Sequence, residues 1–187
     1  MRAVGFDSPQ PIDADTALID IELPMPKATG HDLLVEIRAV SVNPVDTKVR
    51  ASAAVEDGQY RVLGYDAAGV VKAVGSEVTL FKPGDEVFYA GAVNRQGTNA
   101  EYHLVDERIV GRKPASLSFE EAAALPLTAI TAYEAMFHRM KVQDPVPGAA
   151  NAILIIGGAG GVGSVAIQLA RRLTDLTIIA TGSRPET

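Results

Sequence analysis

The 187-residue chain has no cysteine, no tryptophan and only three histidines. The absence of cysteine removes disulfides, thiol nucleophiles and every cysteine-based zinc site. His31, His103 and His138 lie far apart in sequence and show no ligand spacing, so surface or hydrogen-bonding roles fit them better than a metal site. Aromatic residues make up 5%, too few for a base-stacking platform. Basic residues are also scarce, 17 against 23 acidic ones, and the net charge of −6 has the wrong sign for a nucleic-acid partner. No apolar run approaches the length of a membrane span, and the start, Met1-Arg2-Ala3-Val4-Gly5-Phe6-Asp7, lacks a signal-peptide core. The expectation is a cytoplasmic protein that binds neither membrane nor nucleic acid.

What is present is ordinary globular material, 47% hydrophobic and 21% charged. The first two thirds reads as β. Residues 2–6 can open a strand, and residues 17–23 alternate until Pro24 and Pro26 stop them. Residues 32–42 carry the clearest alternation, with Val35, Ile37 and Ala39 on one face and Glu36 and Arg38 on the other. Asn43-Pro44 ends that strand, and residues 45–50 read as a short helical turn presenting Asp46 and Lys48. Residues 63–74 resume the strand pattern, with Gly64 and Gly69 marking bends or close backbone approach. Lys82-Pro83-Gly84-Asp85 reads as a type II turn, with glycine where φ must be positive. Residues 86–89, 100–105 and 109–110 are further short strands. Several short strands with regular turns indicate a partly closed barrel or a sandwich.

The texture changes near Ser116. Ser118 and Glu121 form a capping box that starts a helix over residues 119–125. A second helix is expected from residue 127 or 128 to about 140. An apolar run at residues 153–156 then meets Gly157-Gly158-Ala159-Gly160-Gly161-Val162-Gly163, followed by a helical pattern over residues 164–173 and a second apolar run at 176–181. Gly158, Gly160 and Gly163 fit G-x-G-x-x-G between a strand and a helix, the fingerprint of a dinucleotide-binding βαβ unit. The glycines allow a tight turn and close approach of a pyrophosphate, and the helix N-terminus supplies N–H groups and positive potential. No Gly-Lys-Ser/Thr follows, which argues against a triphosphate P-loop. A dinucleotide fold doubles this unit into about six strands. The expectation is therefore a truncated piece of a longer enzyme, inactive alone, although a partner chain could also supply the remainder.

The order of β-rich domain, helical bridge and glycine fingerprint resembles the medium-chain dehydrogenase/reductase superfamily. The run from Val70 through Gly75, Pro83, Gly84 and Asp85 to Val87 looks like its catalytic-domain signature. Asn43-Pro44-Val45-Asp46 and the glycines look like the zinc-free quinone oxidoreductase branch. The resemblance implies a fold that is β plus α/β: a GroES-like catalytic domain over residues 1–126 and the start of a Rossmann domain over 127–187. It implies NADPH-dependent reduction of quinones or α,β-unsaturated carbonyls, and a homodimer in the full-length form.

The resemblance implies that zinc-dependent relatives place ligands at the position of Asn43, in the segment that holds Tyr65 and near Leu127, and none of these three residues is a good zinc ligand. Without metal, a substrate carbonyl must be polarised by hydrogen bonds. Asn43 and Tyr65 can both donate them, while Asp46 and Asp66 could position groups or relay protons. Each has a plainer alternative: a turn asparagine, a strand aromatic and two solvated carboxylates. The resemblance puts Thr131 against the nicotinamide, and Gly158, Gly160, Gly161, Val162 and Gly163 against the pyrophosphate. NAD sites carry an acid about 20 residues beyond the glycines. Here Thr181-Gly182-Ser183-Arg184 stands instead, and Ser183 and Arg184 suit the 2′-phosphate of NADPH.

Overall fold

The computed structural model describes residues 1–183 and divides into two compact units, Met1–Pro126 and Leu127–Thr187. In the first unit β1 (Arg2–Phe6), β2 (Ile19–Glu22) and β4 (Arg61–Val62) form a sheet in the order β2-β1-β4. Five further strands, β3 (Asp32–Ser41), β5 (Asp66–Val74), β6 (Glu86–Ala90), β7 (Tyr102–Asp106) and β8 (Gly111–Arg112), form a second sheet. Its order is β7-β3-β5-β6-β8, with antiparallel pairing at every junction.

The alternation in β3 places Leu33 and Val35 in a core with Ala67, Val71, Val87, Tyr89 and Val105. Burying each large aliphatic side chain stabilises by about 1.5–3 kcal/mol. In β5 the buried run is Asp66-Ala67-Ala68-Gly69. Close packing against β3 explains its small residues, for a Cβ on Gly69 would stand 2.2 Å from the Glu36 carbonyl oxygen. The expected turn at 82–85 forms, with Asp85 N–H donating to the Lys82 carbonyl at 3.1 Å and Gly84 at φ +94°. Ser118 and Glu121 also exchange their two capping hydrogen bonds, at 3.2 and 2.9 Å.

Four sequence expectations are corrected. Residues 63–74 are not one strand: the chain leaves the first sheet after Val62 and enters the second at Asp66. Gly64, at φ +100°, makes the change of direction. The helical turn at 45–50 is a longer helix, α1 (Pro44–Ser52), begun by a proline whose missing N–H is no loss at that position. Residues 109–110 are not a strand, because the Asp106 carboxylate accepts from Arg108 N–H and winds Glu107–Ile109 into a 3₁₀ turn. The capped helix ends early as α2 (Phe119–Ala123).

The helix expected to run to residue 140 is α3 (Pro126–Tyr133) continued by a π-helical segment, Glu134–Arg139. There Met140 N–H donates to the Ala135 carbonyl, five residues back. The wider turn lets Tyr133 touch Phe137 and also His138, with ring centroids 4.9 and 5.4 Å apart.

In the second unit β9 (Ala152–Ile155), α4 (Gly161–Leu173) and β10 (Thr177–Ala180) form the expected parallel βαβ unit. Ile153 and Ile178 pair across the strands and pack on a core that includes Ala166 and Ala170 of α4. Their neighbours Leu154 and Ile179 also pair, and both are exposed. No described helix is long and apolar enough to cross a membrane.

Candidate active site and dinucleotide cradle

Two groups of residues carry the chemistry, one in each unit. In the first, the start of α1 meets the sheet-to-sheet crossing at 63–65. Asn43 precedes α1 and is buried, as is Asp46 in its first turn. One Asp46 carboxylate oxygen accepts from Asn43 N–H at 2.8 Å, and the other accepts from Gly64 N–H at 2.9 Å. A single carboxylate thus ties the helix N-terminus, where negative charge is favoured, to the residue before Tyr65. Of the two parts expected from sequence, positioning groups or relaying protons, these contacts correspond to the first.

Asn43 is also placed differently from expectation. Its amide nitrogen donates to Asp66 Oδ2 at 2.9 Å and faces the Ser41 carbonyl at 3.4 Å. Turning the amide over would set its oxygen against a carboxylate, so the donor assignment is secure. Both amide hydrogens are directed at protein acceptors, and the Asn43 side chain also faces the Asp46 N–H in the capping box of α1. In this structure the Asn43 amide is therefore engaged by Asp66 and Ser41.

Tyr65 differs from both. Its side chain is buried, at 2% exposure, and its hydroxyl has no hydrogen-bond partner among the described residues. An unpaired buried polar group costs about 1–3 kcal/mol and calls for a reason. Its backbone is firmly set, with Gly91 N–H donating to its carbonyl and Thr98 N–H to that of Gly64. A Cβ at Gly64 would meet Thr98 Oγ1 at 2.4 Å and Asn99 Oδ1 at 2.6 Å, so only glycine fits before Tyr65.

Residues that the sequence did not single out support this crossing. His103 is buried and stacked on Tyr89. The Tyr89 hydroxyl donates to His103 Nδ1 at 3.0 Å, while Nε2 donates to the Gln96 carbonyl at 2.9 Å. That arrangement needs a neutral imidazole, and burial lowers its pKa to about 4. Burial likewise raises the Tyr89 phenol far above its ordinary range, so it stays a donor. Gln96 in turn accepts from Val62 N–H and donates to the Tyr60 carbonyl. No sequence period marks these contacts, because they join loops to strands far away along the chain.

The second group is the glycine turn. Gly157 lies at φ +74°. A Cβ on Gly163 would stand 2.3 Å from the Gly157 carbonyl oxygen, and one on Gly158 would be 3.0 Å from both Ala180 and Ile167. Gly160 and Gly161 are exposed before and at the start of α4, as is Val162. Gly160 caps α4 without a side chain. The first-turn N–H groups therefore have no competing side-chain acceptor, as an anion site needs. Thr181, which the sequence reading passed over, ties the turn down: its hydroxyl accepts from Gly157 N–H at 3.1 Å and its carbonyl from Gly158 N–H at 2.8 Å. Thr128 places its methyl 3.1 Å from a Cβ on Gly161. Thr131, three residues on, is exposed. Ser183 is exposed beyond β10, and Arg184 lies outside the described residues. The close approach of Gly163 to the Gly157 carbonyl packs the start of α4 on the glycine turn, and the exposed Gly160 and Gly161 leave the helix N-terminus open, as a pyrophosphate site needs.

Zinc does not fit. Among the described residues no three His, Cys, Asp or Glu side chains gather as a metal site. His31 is bonded to Glu107, and His103 to Tyr89 and Gln96.

The alcohol dehydrogenase GroES-like domain family matches residues 29–126, more than half of the chain. The chain belongs to this family, within the medium-chain dehydrogenase/reductase superfamily. A crystal structure of a putative zinc-dependent alcohol dehydrogenase from Rhizobium etli is 68% identical, with a TM-score of 0.96, over all of this chain and 54% of that one. A zinc-type alcohol dehydrogenase-like protein of Staphylococcus aureus (strain COL) is 48% identical over all of this chain and 56% of its own length. A 2-methylene-furan-3-one reductase of Solanum lycopersicum is 38% identical over 90% of this chain and 44% of its own. The Escherichia coli quinone oxidoreductase complexed with NADPH is 27% identical, with a TM-score of 0.77, over all of this chain and 54% of that one. The chain spans about half the length of the relatives it matches. Its superfamily members include oxidoreductases acting on quinones and an enone, in line with a GroES-like domain followed by a nucleotide-binding unit.

Proposed function

We propose that the protein, at the length of its relatives, is an NADPH-dependent reductase of quinones or α,β-unsaturated carbonyl compounds that works without zinc. The observation that carries this reading is the buried hydroxyl of Tyr65, a donor without an acceptor among the described residues. When bound, the dinucleotide supplies hydride, and the other requirements fall to the chain. A donor must meet the oxygen on which negative charge develops, and that donor must be kept from water. Tyr65 supplies it. Asn43 keeps its amide on Asp66, so it orients neighbouring groups. The turn from Gly157 to Gly163 receives the pyrophosphate on backbone N–H groups, and Thr131 faces the nicotinamide. Ser183 and Arg184 receive the 2′-phosphate. The similarity to the tomato reductase and to the NADPH-bound quinone oxidoreductase supports the substrate class and the cofactor.

The test is oxidation of NADPH by a small quinone or enone with the full-length protein. Turnover that survives a chelator, and that falls at least tenfold in kcat for Tyr65→Phe, is the expected result. Stoichiometric zinc with chelator-sensitive alcohol oxidation would replace this reading with that of a zinc alcohol dehydrogenase. Tight NADPH binding without turnover would make the protein a nucleotide-binding module on the same scaffold. Arg184→Ala should weaken NADPH binding much more than NADH binding, and equal weakening would remove the 2′-phosphate assignment.

A further inference from the structure

We infer that Asp46 is a positioning residue that acts through Gly64 on the Tyr65 phenol, so that one buried carboxylate sets the geometry of the donor. The inference rests on Tyr65 being that donor. Asp46 is buried, and its two oxygens accept two backbone N–H groups, one 3 residues before it and one 18 residues after it: Asn43 at the head of α1 and Gly64 at the crossing between sheets.

Gly64 is the residue whose conformation decides where Tyr65 points. Its φ of +100° is open to glycine alone, and its carbonyl is held from the opposite side by Thr98 N–H at 2.9 Å. Leu63 is held in the same way by Asn99 N–H at 2.9 Å, and Tyr65 by Gly91 N–H at 2.8 Å. Every one of these other anchors is a backbone bond from the segment at 91–99. Asp46 is the one side chain that pins the Gly64 N–H, and the one link from this crossing to α1 among them. The same aspartate meets Asn43 N–H, and Asn43 meets Asp66, the first residue of β5 and the neighbour of Tyr65. Tyr65 is thus flanked on both sides by residues tied to the head of α1. A carboxylate suits the task because two acceptor oxygens can receive two donors at once, whereas an amide offers one. Its charge is answered by the two N–H dipoles and by the helix N-terminus.

A double-mutant cycle on the full-length protein with NADPH and a small quinone tests this. Asp46→Asn keeps the shape and removes one acceptor. It should lower kcat about tenfold, in the range of coupling between directly connected residues, with KM for NADPH within about twofold of the parent. Combined with Tyr65→Phe, it should cause no further loss beyond that of Tyr65→Phe alone. If the two losses in kcat multiply, Asp46 does not act through Tyr65 and the inference is overturned while the Tyr65 reading stands. If Tyr65→Phe leaves kcat intact, both fall. Should Asp46→Asn not fold, Asp46→Ser, whose single short oxygen cannot bridge both N–H groups, enters the same cycle under the same criterion.

Discussion

The two units of this chain prepare for chemistry in opposite ways. In the first, polar side chains are taken into the interior: Asn43, Asp46, Asp66, Thr98, His103 and Glu107 are all buried, and all lie before Pro126. In the second, no described polar or charged side chain is buried, and the working surface is backbone. Glycines expose N–H groups at the start of α4, and a single threonine hydroxyl, that of Thr181, joins in holding the turn. Under the proposed function, the difference follows from what each would meet. A carbonyl oxygen needs one donor in one place, which takes a side chain fixed by buried partners. A pyrophosphate is broad and doubly charged, and is met by several parallel N–H groups that side chains would obstruct.

The sharpest way to break the comparison is to give the second unit a side chain where it has none. Gly163→Val sets a branched Cβ against the Gly157 carbonyl. Overpacking of this kind costs about 1–3 kcal/mol or more, so the dissociation constant of NADPH should rise about 100-fold, measured by calorimetry. The first unit should instead break through pH. His103 is held neutral with its pKa near 4, below its unfolded value. A depressed histidine contributes stability that is full above the unfolded pKa of about 6.5 and is lost as pH falls from there toward the folded value. The loss is on the order of 3 kcal/mol, read as a falling urea midpoint between pH 7 and pH 4, and His103→Gln should flatten that slope. Thr181→Val removes the side-chain acceptor of Gly157 N–H. It should weaken NADPH binding severalfold, in keeping with about 1 kcal/mol for a hydrogen bond, while leaving the melting temperature of the first unit unchanged. The smallest effect is expected from Ser118→Ala, which removes half of the capping box of α2 and should lower stability by about 1 kcal/mol or less in urea unfolding.

Some of this was legible in the sequence because it is local. The alternation of β3, the Pro83-Gly84 turn, the Ser118–Glu121 box and the glycine turn of the βαβ unit each depend on neighbours a few residues away, and each formed as read. The signals that failed were those in which distant partners compete with local pattern. Residues 63–74 alternate well enough for one strand, yet Thr98 and Asn99 hold the chain at Gly64 and send it to a second sheet. Residues 127–140 have helical composition throughout, and composition does not reveal a change from α to π spacing.

The residues of the candidate site divide in the same manner. Their identities came from the sequence: Asn43, Asp46 and Tyr65 beside the turn and strand signals, and the glycines before α4. Their parts were decided by tertiary contacts. Asp66 takes the amide of Asn43, Gly64 takes an oxygen of Asp46, and nothing among the described residues takes the hydroxyl of Tyr65. A residue type states how many hydrogen bonds a side chain can make. Only the fold determines which of them are already made, and that remainder is what a substrate can use.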